Sequence, residues 1–226
     1  VSDWSSDVCS SDLSEGLMTP ITLRIPAGML NPAFEADPEA CPAVAAGNVE
    51  TSQRVVDALL KAFGVVACSQ GTMNNVIFGN DRFSFYETIC GGSGAGPGFD
   101  GAHGVHTHMT NTRITDPEII EHRYPVRIER FGLRHGSGGA GRWRGGDGVV
   151  RSYLFLEPVS LAVLSQHRKT GPYGLSGGGE GMPGCQRVTR ADGNVIDVPG
   201  VAMIDLGAGD RFTIETPGGG GCGAVE

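Results

Sequence analysis

The chain has 226 residues, 39% of them hydrophobic, with a formal net charge of −8 and a pI near 5.2. That is enough apolar material for one large domain or two small ones, and too little positive charge for a nucleic-acid surface, although Arg142, Trp143 and Arg144 form a small basic patch. No apolar run reaches the roughly 18 residues of a membrane span, and no basic stretch followed by an apolar one opens the chain, so the sequence reads as a cytoplasmic, globular protein.

The six cysteines are scattered without a CxxC pair, which predicts reduced thiols and neither a disulfide frame nor a zinc knuckle. Glycine is over-represented, at 37 residues, against a usual share of roughly 7%. It clusters between well-patterned segments, which predicts ordered, closely approaching backbone. Residues 1–13, VSDWSSDVCSSDL, form a low-complexity Ser/Asp stretch and resemble translated adapter sequence; they are expected to be a non-native leader. Without its three acids, Asp3, Asp7 and Asp12, the charge falls from −8 to −5.

From residue 14 the elements follow in order. Ile21, Leu23 and Ile25 alternate as in a short strand, and a long proline-rich loop comes next. Asn48 can cap a long helix over 48–63, with Val49, Val55, Val56, Leu59, Leu60 and Phe63 at helical spacing and Gly64 as its stop. Its polar face, carrying Glu50, Gln53, Arg54, Asp57 and Lys61, is expected to be solvated. Strands are predicted over 65–68, 72–78 and 82–90, the last two joined at Gly79-Asn80-Asp81. The third of these places Glu87 on the apolar face of Phe83 and Phe85, where a carboxylate needs a partner or a task unless the strand is an edge that exposes it.

The loop GGSGAGPGFDG leads into GAHGVHTHMTNTRITDPEIIEHRYP, where most of the unusual chemistry lies. Gly94 and Gly96 would let backbone amides approach an anion, although no GK[ST] follows to make a Walker loop. His106 and His108, two apart, would leave one face of an extended segment together, as an acid/base pair or weak metal ligands. Asn111 and Arg113 supply donors for a carboxylate or oxyanion. Asp116-Pro117-Glu118 is a helix start, predicting a short helix over 117–122 that Pro125 ends.

Beyond it, strands are expected over 126–135, 149–156, 159–164 and 211–216, with short ones flanking Asp192-Gly193-Asn194. The loop HRKTGPYGLSGGGEGMPG offers Arg168 and Lys169 to an anion. The fold class is therefore α+β, β-rich toward the C-terminus, with glycine-rich loops.

The segments SGAGPGFDGAHGVHTHMTNTRITDPEIIEHRYP and LRHGSGGAGRWRGGDGVVR, together with PAGMLNPAFEADPEACPAVAAGNVETSQRVVDALL, SQGTMNN, FYETICGGSGAG and TPGGGG, resemble the hydantoinase B / 5-oxoprolinase family. The resemblance implies that residues 14–226 are the C-terminal portion of the family's B domain, a metagenomic fragment truncated at both ends and inactive alone. It implies ATP-dependent opening of a small-molecule cyclic amide, with conversion of 5-oxoproline to glutamate, a step of glutathione metabolism, as the leading reaction. ATP would be bound by a separate hydantoinase A-type domain or subunit, a divalent metal of unspecified identity is possible, and an oligomer is expected. N-methylhydantoinase and ketone carboxylase B-type subunits are the alternatives, as is a docking part without catalytic residues. Residue chemistry assigns His106, His108 and Glu87 to base work or metal contact, and Asn111, Arg113, Gly94 and Gly96 to substrate binding.

Overall fold

The computed structural model describes residues 19–28, 30–41 and 50–225. It divides into two units after residue 45. The expected leader and the Asn48 cap lie outside the described residues. In the first unit, Gly28 and Asn31 bond each other's backbone, and a 3-10 helix at Pro38–Ala40 is capped by Asp37, which accepts from the Glu39 amide at 3.1 Å. The strand expected at Ile21–Ile25 is not formed: alternation supplies a face, but no ladder partner pairs with it among the described residues.

The second unit is built on two antiparallel sheets. Its strands are β1 (Asn75–Asn80), β2 (Phe83–Thr88), β3 (Val126–Arg134), β4 (Gly148–Phe155), β5 (Val159–Leu164), β6 (Cys185–Thr189), β7 (Val195–Asp197), β8 (Val201–Leu206) and β9 (Arg211–Glu215). One sheet has the order β2-β1-β5-β8 and the other β3-β4-β9-β6-β7. Their apolar faces meet in one core, to which Val76, Phe78, Phe85, Leu161 and Val163 contribute from the first sheet and Val126, Tyr153, Phe155, Phe212 and Ile214 from the second. Phe78 is the hub, its ring 5.0 Å from Phe85 and 5.2 Å from Phe155.

Two strand expectations of this unit need correction, and one strand was not expected. The β1–β2 turn is Asp81-Arg82, because Gly79 and Asn80 still pair with Ser84 and Phe83. Residues 65–68 form no strand; Ala67 and Cys68 donate instead to Ala95 and Tyr173 in the glycine loops. Strand β8, unanticipated, is an edge strand whose VAMIDL carries Met203 outward.

The glycine loops form a lattice of backbone on backbone. In the closing segment, Gly219 donates to Gly146 and accepts from Gly139, Gly220 donates to Cys68 and accepts from Ala95, and Gly221 donates to Gly179 and accepts from Leu175. Successive residues thus face different neighbours, and no direction is left for a side chain. A Cβ at Gly219 would lie 1.8 Å from the Ser93 carbonyl oxygen, and one at Gly220 would lie 2.0 Å from that of Tyr173.

Two helices complete the unit. Helix α1 (Ser52–Phe63) ends at Gly64, whose φ of 66° is the left-handed stop expected of glycine. Its orientation departs from expectation in part, since of the polar face Arg54 and Lys61 are exposed as expected. Gln53 and Asp57 are buried in the domain, whereas Val55, Leu59 and Phe63 are exposed. Helix α2 (Pro117–Arg123) starts as predicted, with Asp116 accepting from the Glu118 amide at 2.9 Å, and stops at the extended Tyr124 before Pro125.

Candidate functional site

The inward polar stripe of α1 meets two loops, one at Ser69 and the other at residues 107–110. The Asp57 carboxylate accepts from the Ser69 amide and hydroxyl, both at 3.0 Å, and pairs with His108 Nε2 at 2.9 Å. Gln53 bonds the Thr107 carbonyl at 3.0 Å and the Thr110 hydroxyl at 2.8 Å. Tyr173 donates to the Asp57 carbonyl at 2.6 Å, and Lys61 lies 4.2 Å from the Tyr173 ring centre. A pocket of about 520 Å³ opens here, lined by Arg54, Asp57, Ala58, Lys61, Ala62 and Tyr173.

Burial pushes the Asp57 carboxyl up, but the hydrogen bonds from His108 and Ser69 outweigh it and hold the group below its ordinary range. Because a carboxylate can only accept, His108 Nε2 carries a proton, and the neutral tautomer this selects has its lone pair on Nδ1. An imidazole fixed in one tautomer by a buried carboxylate is the arrangement that makes a general base. Ser69 bonds the acid and not the imidazole, so the set is a His–Asp dyad and not an activated serine.

His106 and His108 do not share the face of an extended segment, because His108 takes φ 52° and turns the chain. The His106 ring nitrogens are buried without a hydrogen-bond partner among the described residues, and burial lowers this ring's pKa, favouring the neutral form. Asn111 and Arg113 are exposed on the segment leading to α2. Glu87 lies elsewhere, between the sheets: one oxygen accepts from the Thr115 amide at 2.5 Å, the other accepts from Tyr153 Oη at 2.9 Å and lies 3.3 Å from the fully buried Arg151. Gly94 and Gly96 approach protein, not an open anion site. A Cβ at Gly94 would lie 1.9 Å from the Ala67 carbonyl oxygen, and one at Gly96 2.4 Å from the Phe99 ring.

Among the described residues no group of three or more His, Cys, Asp or Glu converges as a set that could hold a metal ion. Nor do the glycine amides fit a triphosphate cradle, since those of the lattice are spent on carbonyls. Cys68 lies 3.8 Å from His167, but burial pushes its thiol far up, so it is no thiolate nucleophile.

Sequence reading missed Asp57, Ser69 and Gln53 as site residues. The only available signal was the stripe of Gln53 and Asp57 itself, one helical turn apart. Periodicity marks a face without saying which way it points.

The family model described as "Hydantoinase B/oxoprolinase" matches residues 5–225. The chain is 50% identical over 213 residues to 5-oxoprolinase 1 of Arabidopsis thaliana, a match covering 94% of this chain and 16% of that protein. It is 47% identical over 215 residues to 5-oxoprolinase of Dictyostelium discoideum, covering 95% and 16% respectively. The crystal structure of ATP-dependent caprolactamase from Pseudomonas jessenii superposes with a TM-score of 0.63 at 27% identity, covering 71% of this chain and 30% of that one. The chain therefore spans about a sixth of the length of the two curated relatives.

Proposed function

This chain belongs to the hydantoinase B/oxoprolinase family, and on that premise we propose that it forms part of an ATP-dependent cyclic amidase of the 5-oxoprolinase type. The relatives named 5-oxoprolinase support this reading of the reaction, and the neighbour named ATP-dependent caprolactamase supports opening of a cyclic amide at the expense of ATP. An amide resists water, and phosphorylation of its oxygen converts that oxygen into a leaving group. ATP would be held by a hydantoinase A-type domain or subunit, and this chain's residues would serve the hydrolytic half.

The observation that carries the assignment of roles is the His108–Asp57 pair at 2.9 Å beside a pocket. His108 Nδ1 accepts the proton of the attacking water, and Asp57 stabilises the imidazolium that forms. His106, whose buried ring nitrogens have no hydrogen-bond partner among the described residues, is the second imidazole on the same loop. Asn111 and Arg113 present exposed donors to the substrate's carboxylate or phosphate. Glu87 is committed to Arg151 and Tyr153, so its role is to hold the two sheets together.

The reaction is tested with the full-length parent and its A-type partner, supplied in turn with 5-oxoproline, hydantoin, and a ketone with bicarbonate. Glutamate release from 5-oxoproline that requires ATP is expected. Turnover confined to hydantoins or ketones would replace this reading with that of the sister enzymes.

A second reading, that the segment docks neighbouring structure and has no catalytic residues, is favoured by the outward stripe of Val55, Leu59 and Phe63 on α1. Turnover that survives loss of His108 would select it.

A further inference from the structure

A second pocket, of about 310 Å³, lies near the first and is lined by Arg54, His167, Arg168 and Lys169 with the hydroxyl residues Ser165 and Thr170. Its lining holds two guanidinium groups and an ammonium but no carboxylate. In a chain of net charge −8 this is an unusual concentration of positive charge.

The cations have no direct ion-pair partner, although the Glu50 carboxylate is near enough to act electrostatically on Arg54 and Arg168. Among the described residues, none of Arg54, Arg168 and Lys169 forms an ion pair with a carboxylate. Arg168 is instead braced by three neutral acceptors: its Nη2 donates to Asn74 Oδ1 at 2.9 Å, its Nε to Gln186 Oε1 at 3.0 Å and its Nη1 to the Gln166 carbonyl at 2.7 Å. A guanidinium has five N–H donors, so two remain after these three bonds. The bonds fix the fork without an ion pair, and Glu50 meets its charge only at longer range, so two donors stay available to an anion.

Arg54 is held in a related way. Its Nη1 contacts His167 Nε2, and since Arg can only donate, that nitrogen accepts. The His167 proton therefore sits on Nδ1, which donates to the Thr170 carbonyl at 3.0 Å. His167 is thus a neutral strut that holds Arg54 at the pocket without cancelling its charge.

We propose that this pocket is a phosphate-binding site, taking a phosphate oxyanion either free or as the terminal group of a small ester. Two guanidinium groups and an ammonium exceed what a monoanionic carboxylate needs and match a phosphate dianion, with the exposed Thr170 hydroxyl as a further donor. The inference stands on the pocket alone, and its test reads binding and not turnover, so its failure would leave the amidase reading intact.

The test is calorimetric titration of the full-length protein, at constant ionic strength, with inorganic phosphate, methyl phosphate and acetate. Saturable binding of phosphate or methyl phosphate is expected, weakened at least about tenfold in Arg54→Gln/Lys169→Gln, with acetate binding more weakly than either. These two exposed side chains are chosen because Arg168 also braces Asn74 and Gln186. Circular dichroism checks that the double variant is folded; should it not be, Lys169→Gln alone must show weaker phosphate binding. No saturable heat with the folded wild type, unchanged affinity in the folded variant, or acetate binding as tightly as phosphate would each overturn the proposal.

Discussion

Glu87 and Asp57 show how two buried carboxylates reach different ends. Glu87 lies on an apolar face, and the sequence alone asks for its partner. The partner is Arg151, itself 0% exposed, with Tyr153 and the Thr115 amide completing the set. Replacing Glu87 with Gln leaves the Arg151 charge buried without its counterion. It is expected to cost about 3–5 kcal/mol of stability, measured by denaturant unfolding of the full-length protein, and a loss under about 1 kcal/mol would remove Glu87 from this role. The need for a partner was legible because strand alternation fixes a face. Its identity was not, because the pairing joins β2 to β4 across the core, a contact no local pattern encodes. Asp57 was assigned to solvent on the rule that charged helical stripes face water. Loop donors, the Ser69 amide and hydroxyl and the His108 ring, reverse that rule by satisfying the carboxylate.

At the scale of elements, the glycine loops decide how far apart distant segments can sit. Glycine enrichment was legible and signalled close backbone approach; at Gly96 the amide donates to the Phe99 carbonyl, and at Gly94 the backbone abuts the Ala67 carbonyl. Only a three-dimensional arrangement tells an amide aimed at an anion from one aimed at a carbonyl. Gly219 is the most demanding position, because an added Cβ would lie 1.8 Å from the Ser93 carbonyl oxygen, and backbone there cannot swing aside as a long side chain could. Gly219→Ala is therefore expected to cost more than about 4 kcal/mol, seen as loss of soluble, folded full-length protein. A variant that melts within a few degrees of wild type would show that the lattice yields. Helix α1 was legible in extent, from its period and its Gly64 stop. Its direction of burial was not, because it depends on which neighbours accept its polar stripe.

On the scale of the whole molecule, two sheets sharing one core carry the loops that hold the dyad, and α1 lies over those loops with its apolar stripe outward. The chain spans about a sixth of the length of the two 5-oxoprolinase relatives. The β-rich α+β class was legible from alternation and turn residues, and the family from long, specific motifs. Of the candidate dyad only His108 was singled out from the sequence, since Asp57 joins it through folding. The central claim is that His108, oriented by Asp57, is the general base of the hydrolytic step. It is tested most directly by measuring ATP-dependent glutamate release by the full-length parent with its A-type partner, comparing wild type with His108→Gln and Asp57→Asn. Both variants are expected to lose about 10²–10⁴-fold in kcat while melting temperature and assembly with the partner are retained. Turnover within about twofold of wild type in a folded, assembled His108→Gln enzyme would contradict the claim and leave the dyad as a brace between α1 and its loop.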